Sequence, residues 1–241
     1  YVLVKKAAAM ANLQVGWLNQ YVAEAIAKAC DDVLGGKFLD QFLVDVFQAG
    51  AGTSFNMNVN EVLANRALDI IGEAKGNYKI VNPNDHVNMG QSTNDTFPTA
   101  LHIAVLLALQ PLIPELECLA EAFEKLSKEH HDTVKSGRTH LQDAVPITIG
   151  QEFGAYASAI AHACEQLQER QKILFSIALG GTATGTGANT HPKYKQAAID
   201  SLAKMTGFPL ISAKNTFEAL QSARPIQTVS SALKELALEL I

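Results

Sequence analysis

The apolar residues of this chain recur at helical spacing over unusually long stretches, and that periodicity restricts the fold more than any other feature. From Ile149 they fall at Phe153, Tyr156, Ile160, Ala163, Leu167, Leu174 and Ile177, a 4-3 alternation interrupted only where Arg170 occupies the stripe. A helix from Thr148 to Leu179 would be about 45 Å long at 1.5 Å per residue. That length suits a bundle core better than a compact globular helix. A second stripe runs Leu101, Val105, Ala108, Leu112, Leu116, Leu119, Phe123, Leu126. Pro111 and Pro114 are expected to kink or divide it, since each lacks a donor and crowds the preceding turn. A third stripe joins Ile226, Val229, Leu233, Leu236 and Leu240. Period-two alternation is hard to find, so the expected fold class is all-α, a long-helix bundle.

The third stripe reaches residue 241 without a stop signal, and Lys5 to Ala11 favours helix with no cap ahead of it. Both ends are expected to lie inside helices of a longer protein. The 241 residues carry 19 basic and 24 acidic side chains, a net charge of −5 with no basic patch, which argues against a nucleic-acid partner. The richest apolar run, Ile103 to Leu109, is short for a bilayer span, and no secretory leader is visible, so no membrane partner is expected. Cys30, Cys118 and Cys164 lie far apart without metal-ligand or redox spacing and read as reduced thiols of a cytoplasmic protein.

Three loops concentrate Ser, Thr, Asn and Gly beside a helix start. The first is Gln48 to Ser54, continuing into Asn56, Asn58 and Asn60. The second runs from Asn82 to Asp95 and contains Gln91-Ser92-Thr93-Asn94-Asp95. The third runs from Ser136 to Pro146 and contains Thr139 and His140. Hydroxyls and amides at a helix N-terminus sit beside unpaired N–H groups at the positive end of the dipole, and together they form a receptor for a small carboxylate. Any one loop is more simply read as ordinary capping; their recurrence, with His140 in one of them, weakens that reading in favour of the receptor. Gly50-Ala51-Gly52 lacks the third glycine and the preceding strand of a dinucleotide loop. Gly180 to Gly187 lacks the Lys-Ser/Thr of a phosphate loop and reads as a closely packed turn. His130 and His131 are adjacent, share no helix face, and are expected at a solvated helix end, so no metal is called for. His102, His162 and His191 show no partner pattern and are expected to be surface or packing residues.

Gly52-Thr53-Ser54-x-Asn56-Met57-Asn58-x-Asn60-Glu61, Gln91-Ser92-Thr93-Asn94-Asp95 and Gly137-Arg138-Thr139-His140-Leu141-Gln142-Asp143 resemble, in this order, the motifs of the aspartase/fumarase superfamily. The likeness continues through Gly150-Gln151-Glu152-Phe153, Gly180 to Gly187 and Thr206-Gly207-Phe208-Pro209, and so covers essentially the whole chain. It implies a smaller, mostly helical N-terminal domain over residues 1–93 and a central long-helix domain over 94–241. It also implies a homotetramer with active sites shared between subunits, a small dicarboxylate substrate and no cofactor. Ala51, Thr93 and Asn82 lean toward the branch that eliminates ammonia from aspartate to give fumarate. Asn65-Arg66-Ala67, Thr96 to Thr99 and Phe217 to Leu220 are at home in the branch that hydrates fumarate to malate. A truncated, non-catalytic helical assembly module is the third expectation.

By the same resemblance, Ser92 and Thr93 hold the carboxylate next to the departing proton, Thr53, Asn94 and His140 contact the amino group, and Thr139 helps to bind the other carboxylate. His140 is the expected catalytic residue here. The family's loop of the form Gly-Ser-Ser-x-Met-Pro-x-Lys-x-Asn-Pro, which carries the serine base, is not among these residues, and its place is expected downstream of Ile241.

Overall fold

The computed structural model describes residues 1–48 and 51–241. It divides into two compact units, Tyr1–Ala104 with Phe175–Ser222, and Val105–Leu174 with Ala223–Ile241. The first unit takes in the whole of segment 1–93 together with a second stretch of chain from the last third of the sequence.

The first unit is built on α1 (Val2–Gln14), which packs against α2 (Gln20–Leu34) and, far along the chain, α6 (Tyr194–Thr206); α2 in turn packs on α3 (Thr53–Ile70). Ala7, Ala8, Ala9 and Ala11 are all buried. Their small side chains give α1 an apolar surface on more than one side and let its neighbours approach closely. Ile26, Leu63, Leu68, Ile199 and Leu202 fill the spaces between helices. Asn19 caps α2 by accepting from the Tyr21 N–H at 2.8 Å. A single π turn, Pro83–Val87, is capped by Asn82, whose side chain accepts from the N–H groups of Asn84 and Asp85.

Helix α4 (Thr93–Glu129) runs unbroken for 37 residues through Pro111 and Pro114, so the expected division there does not occur. The prolines deprive the carbonyls of Leu107 and Gln110 of their helical donors, and both of those residues are exposed, where water can take the donor's place. The expected stripe is also corrected. From Ala100 onward the buried side chains are Ala100, His102, Ile103, Leu106, Leu109 and Leu116, whereas Leu101 and Ala108 are exposed. This helix is apolar on two faces, and one stripe misses the second. The run Ile103–Leu109 belongs to a longer apolar window of mean hydropathy 1.7, enough by length and composition to cross a membrane, with 22% of it buried inside the chain.

In the second unit α5 (Ile149–Arg170) packs against α8 (Arg224–Glu239). Thr148 starts α5 with a reciprocal cap, its hydroxyl accepting from Gln151 N–H while the Gln151 side chain accepts from Thr148 N–H. Ile160, Cys164, Leu167, Val229, Ala232 and Leu236 are buried. Phe123, Phe153 and Tyr156 form an aromatic cluster with centroids 5.8 to 6.1 Å apart. Arg170, which interrupts the stripe, pairs with Glu235 of α8 at 2.8 Å. The helix ends at Arg170 and not at Leu179. Ile177, Ala178, Leu179 and Gly180 are consecutively buried, which a helix packing one face cannot achieve, and β3 (Ser176–Ile177) instead pairs in parallel with β4 (Ile211–Ser212). The loop expected at 133–146 is a β-hairpin of β1 (Val134–Thr139) and β2 (Gln142–Thr148), bulged between Ser136 and Arg138. These short strands leave the helical fold class intact.

Gly150 lies where the end of α4 meets the start of α5, its N–H bonded to the His130 carbonyl at 3.0 Å. A Cβ there would stand 2.4 Å from the Ser127 carbonyl oxygen and 2.7 Å from His131 Cα, both backbone atoms. Gly150→Ala is therefore expected to destabilise the protein by about 1–3 kcal/mol, read as a lowered Tm; an unchanged Tm would contradict this packing.

Candidate active site

Ser92 N–H donates to the Asp95 carboxylate at 2.9 Å and Ser92 Oγ accepts from Asn94 N–H at 3.3 Å, a reciprocal cap that opens α4. Asp95 is fully buried, and its second oxygen accepts from the N–H groups of Gly180 at 3.0 Å and Thr182 at 2.9 Å. One carboxylate thereby fastens the Gly180–Gly187 loop to the helix start. Asn94 adds a further tie by donating from Nδ2 to the Ala183 carbonyl at 2.7 Å. The loop that reads in sequence as a packed turn is part of the site. It holds Thr182 at φ 56, is followed by Asn189 at φ 62, and lines a groove of about 220 Å³ with Gly90 and Gln91.

Beneath this helix start lies Lys5, also fully buried. Its ammonium donates to Asn56 Oδ1 at 2.7 Å, Asn88 Oδ1 at 2.9 Å and Gln91 Oε1 at 2.9 Å. Asn56, one turn into α3, donates from Nδ2 to Thr93 Oγ1 at 3.1 Å and accepts from the Tyr1 hydroxyl at 3.1 Å. The first and second loops are thus joined through α3, α4 and a lysine from α1. Gly52 caps α3 at φ 88 and leaves Thr53 as the first helical residue, exposed. Gly52 is required here, because a Cβ would stand 2.3 Å from the Phe97 ring. Ala49 and Gly50 of the first loop lie outside the described residues.

Thr139 and His140 belong to the second unit, at the end of the β1–β2 hairpin. Thr139 pairs with Gln142, leaving His140 and Leu141 as a two-residue turn, both with positive φ (51 and 60) and both exposed. A turn with both central residues left-handed matches the strand twist, but it normally draws Asn or Gly. Histidine tolerates that region better than leucine does. Of the sequence-predicted residues, Ser92, Thr93 and Asn94 come together in one cluster, with Thr53 one turn from Asn56 on α3. His131 bonds the Lys128 carbonyl at 3.1 Å beside Asp132, a solvated helix end as expected. His162 is exposed, His191 packs edge-on against Trp17, and His102 is buried.

Sequence reading missed Lys5, Asn56 and Asp95. Lys5 sits in an Ala-rich helix beside Lys6, which does pair with Asp31 at the surface. The available signal is that residues on every side of Lys5 in Val2–Ala11 are apolar except Lys6. Burial pushes the Lys5 ammonium down to about 7, opposed by the Asp95 charge. Burial likewise pushes Asp95 up to about 6, opposed by its three N–H bonds and by Lys5. Tyr194, buried in the same unit and raised well above 10 by burial and then by Asp95, has no partner for its hydroxyl among the described residues.

The sequence model of a protein family described as lyase matches residues 1–241. An aspartate ammonia-lyase from Bacillus sp is 52% identical over 232 residues, 96% of this chain and 50% of its own length. A class II fumarate hydratase from Neisseria meningitidis serogroup A is 48% identical over 239 residues, 99% of this chain and 52% of its own. The crystal structure of a fumarate lyase:delta crystallin from Brucella melitensis bound to cobalt superimposes with a TM-score of 0.96 at 45% identity, covering 99% of this chain and 52% of that one. The chain spans about half the length of the relatives it matches.

The two buried charges oppose each other in their effect on stability. Asp95 holds its proton more tightly folded than unfolded, so its contribution is largest below pH 4 and is lost as pH rises to about 6. Lys5 holds its proton less tightly folded, so its contribution is lost as pH falls from about 10.5 to about 7. The pair is least stabilising between pH 6 and 7. On acidification from pH 6 to pH 4 the wild-type protein is expected to gain stability relative to Asp95→Asn, on the order of 3 kcal/mol for a shift of about two pH units. Urea midpoints across that range check this, and a constant difference between the two proteins would refute it.

Proposed function

The chain belongs to the lyase family that includes aspartate ammonia-lyases and class II fumarases, and from that premise we propose that its full-length protein eliminates ammonia from aspartate to give fumarate. The observation that carries the reading is the hydrogen-bond polarity at the start of α4. Ser92 Oγ is engaged as an acceptor by Asn94 N–H, so its hydrogen points away from that bond as a donor for a carboxylate. Asn94 spends its Nδ2 on Ala183, which leaves Oδ1 as an acceptor for an ammonium. A carboxylate donor and an ammonium acceptor on adjacent residues suit an α-amino dicarboxylate.

In this mechanism a proton leaves the carbon next to a carboxylate, and that carboxylate develops a second negative charge. Neutral donors from Ser92 and Thr93 at the positive end of the α4 dipole stabilise it without further buried cations. Thr53 and His140 contact the amino group and Thr139 the other carboxylate, while the base comes from a segment outside these 241 residues. Loops from different subunits of a homotetramer complete each site. The exposed apolar positions of α4, Leu101 and Leu107 among them, are the face we assign to neighbouring subunits.

Hydration of fumarate to malate is the second reading, supported by the 48% identity to a class II fumarate hydratase. Absorbance at 240 nm separates the two: the full-length protein should form fumarate from aspartate, and a response to malate alone would overturn the first reading. In the active protein, Ser92→Ala should lower kcat/KM by about a hundredfold. The isolated 241-residue polypeptide should form no fumarate from either substrate.

A further inference from the structure

We propose that Lys5 and Asn56 are positioning residues that fix the direction of the Thr93 hydroxyl, making it a donor toward the substrate carboxylate. The inference rests on the reading of Thr93 as a carboxylate contact and deepens it.

A lysine ammonium has three donors and no acceptor. In this site all three point at side-chain amides, those of Asn56, Asn88 and Gln91, so each amide must present its oxygen to Nζ. The opposite orientation of any of them would set NH2 against a buried ammonium. The remaining bonds agree with that assignment. Gln91 Nε2 donates to the carbonyls of Val87 at 2.9 Å and Met89 at 3.2 Å, and Asn88 Nδ2 donates to the Gln91 carbonyl at 3.4 Å. Asn56 Oδ1 accepts a second time, from the Tyr1 hydroxyl.

With Oδ1 held by Lys5 and Tyr1, Asn56 has only its NH2 to offer Thr93, 3.1 Å away. Thr93 Oγ1 therefore accepts, and its own hydrogen cannot lie along that bond. No other bond to the Thr93 side chain is made among the described residues, so the hydroxyl hydrogen is left for a ligand. Lys5, Asn56 and Thr93 form a relay in which a buried cation, out of reach of substrate, sets the sense of a hydroxyl that touches it. A threonine hydroxyl free to rotate would present hydrogen or lone pair alike, and the lone pair would repel a carboxylate. The relay removes that second orientation before substrate arrives.

Asn56→Asp tests this, because the two side chains have the same shape while the new carboxylate keeps and strengthens the bond to Lys5. An aspartate has no donor for Thr93, so the hydroxyl turns its hydrogen inward and its lone pair outward. In the full-length protein, with melting temperature at or above wild type, the inhibition constant of succinate (a dicarboxylate neither candidate reaction consumes) should rise about tenfold to a hundredfold. KM for substrate should rise with it, and kcat should change less. Thr93→Val alone should raise the succinate constant similarly, and Asn56→Asp added to Thr93→Val should raise it little further. An equal effect of Asn56→Asp in both backgrounds would mean that its charge acts directly on the ligand, and would overturn the relay. So would an unchanged succinate constant in Asn56→Asp where Thr93→Val raises it. If Thr93→Val itself leaves the constant unchanged, the carboxylate contact fails and the relay with it. Asn56→Ala, which frees the hydroxyl without reversing it, should fall between wild type and Asn56→Asp; a constant equal to wild type would also overturn the proposal.

Discussion

The Asp95 carboxylate is the interaction on which the candidate site depends. It gathers the N–H groups of Ser92, Gly180 and Thr182, bringing together segments 85 and 87 residues apart in sequence. Backbone donors of this kind are otherwise left unpaired at a helix start and in a glycine-rich loop, and burying them unpaired is costly. A buried carboxylate is costly as well, and its tendency to hold a proton up to about pH 6 records that cost. The two demands are met by each other. Lys5 then balances the charge from the opposite side without a direct ion pair within 4 Å, its ammonium enclosed by amide oxygens. Removing either charge alone would leave the other buried and uncompensated.

This arrangement explains why the first unit is assembled from two separated stretches of chain. The Gly180–Gly187 loop has to reach the start of α4, and α6 follows it directly onto α1. Gly180 is at φ 85, and a Cβ would stand 2.6 Å from Lys195 Cγ and 3.0 Å from its Cα, so the loop closes on α6 only with glycine at that position. The same contacts that make the core of the unit hold the polar cluster at its edge.

Much of the helical architecture was legible because amphipathic periodicity survives in sequence when a helix packs one face. It held for α8, where Val229 and Leu236 are buried as spaced, and in part for α5, where Ile160 and Leu167 are buried but Tyr156 is exposed and Ala157 and Cys164 are buried beside the stripe. It failed where burial is not one-sided: α4 is apolar on two faces, and Ile177 to Gly180 are buried in succession. The hairpin was missed because its residues are exposed on both faces, Val134 and Val145 included, so no alternation marks it. In the site, Ser92, Thr93 and Asn94 were visible through their composition at a helix start. Lys5 and Asp95 were not, since a buried charge is recognised only by its partners, and all of those but Ser92 lie 51 to 87 residues away.

The start of α4 and the turn of the β1–β2 hairpin differ in how they are held. At the start of α4, donors and acceptors are locked by buried charges, so their orientation is set before a ligand binds. His140 and Leu141 instead occupy left-handed backbone at an exposed turn, a conformation that costs roughly 1–2 kcal/mol for a non-glycine residue. Asn-Gly would remove that strain and keep the tight pairing of Thr139 with Gln142. An exposed turn that retains histidine and leucine at those two positions keeps side chains there at a cost in stability. Leu141 is 92% exposed, so nothing within its own unit recovers that cost.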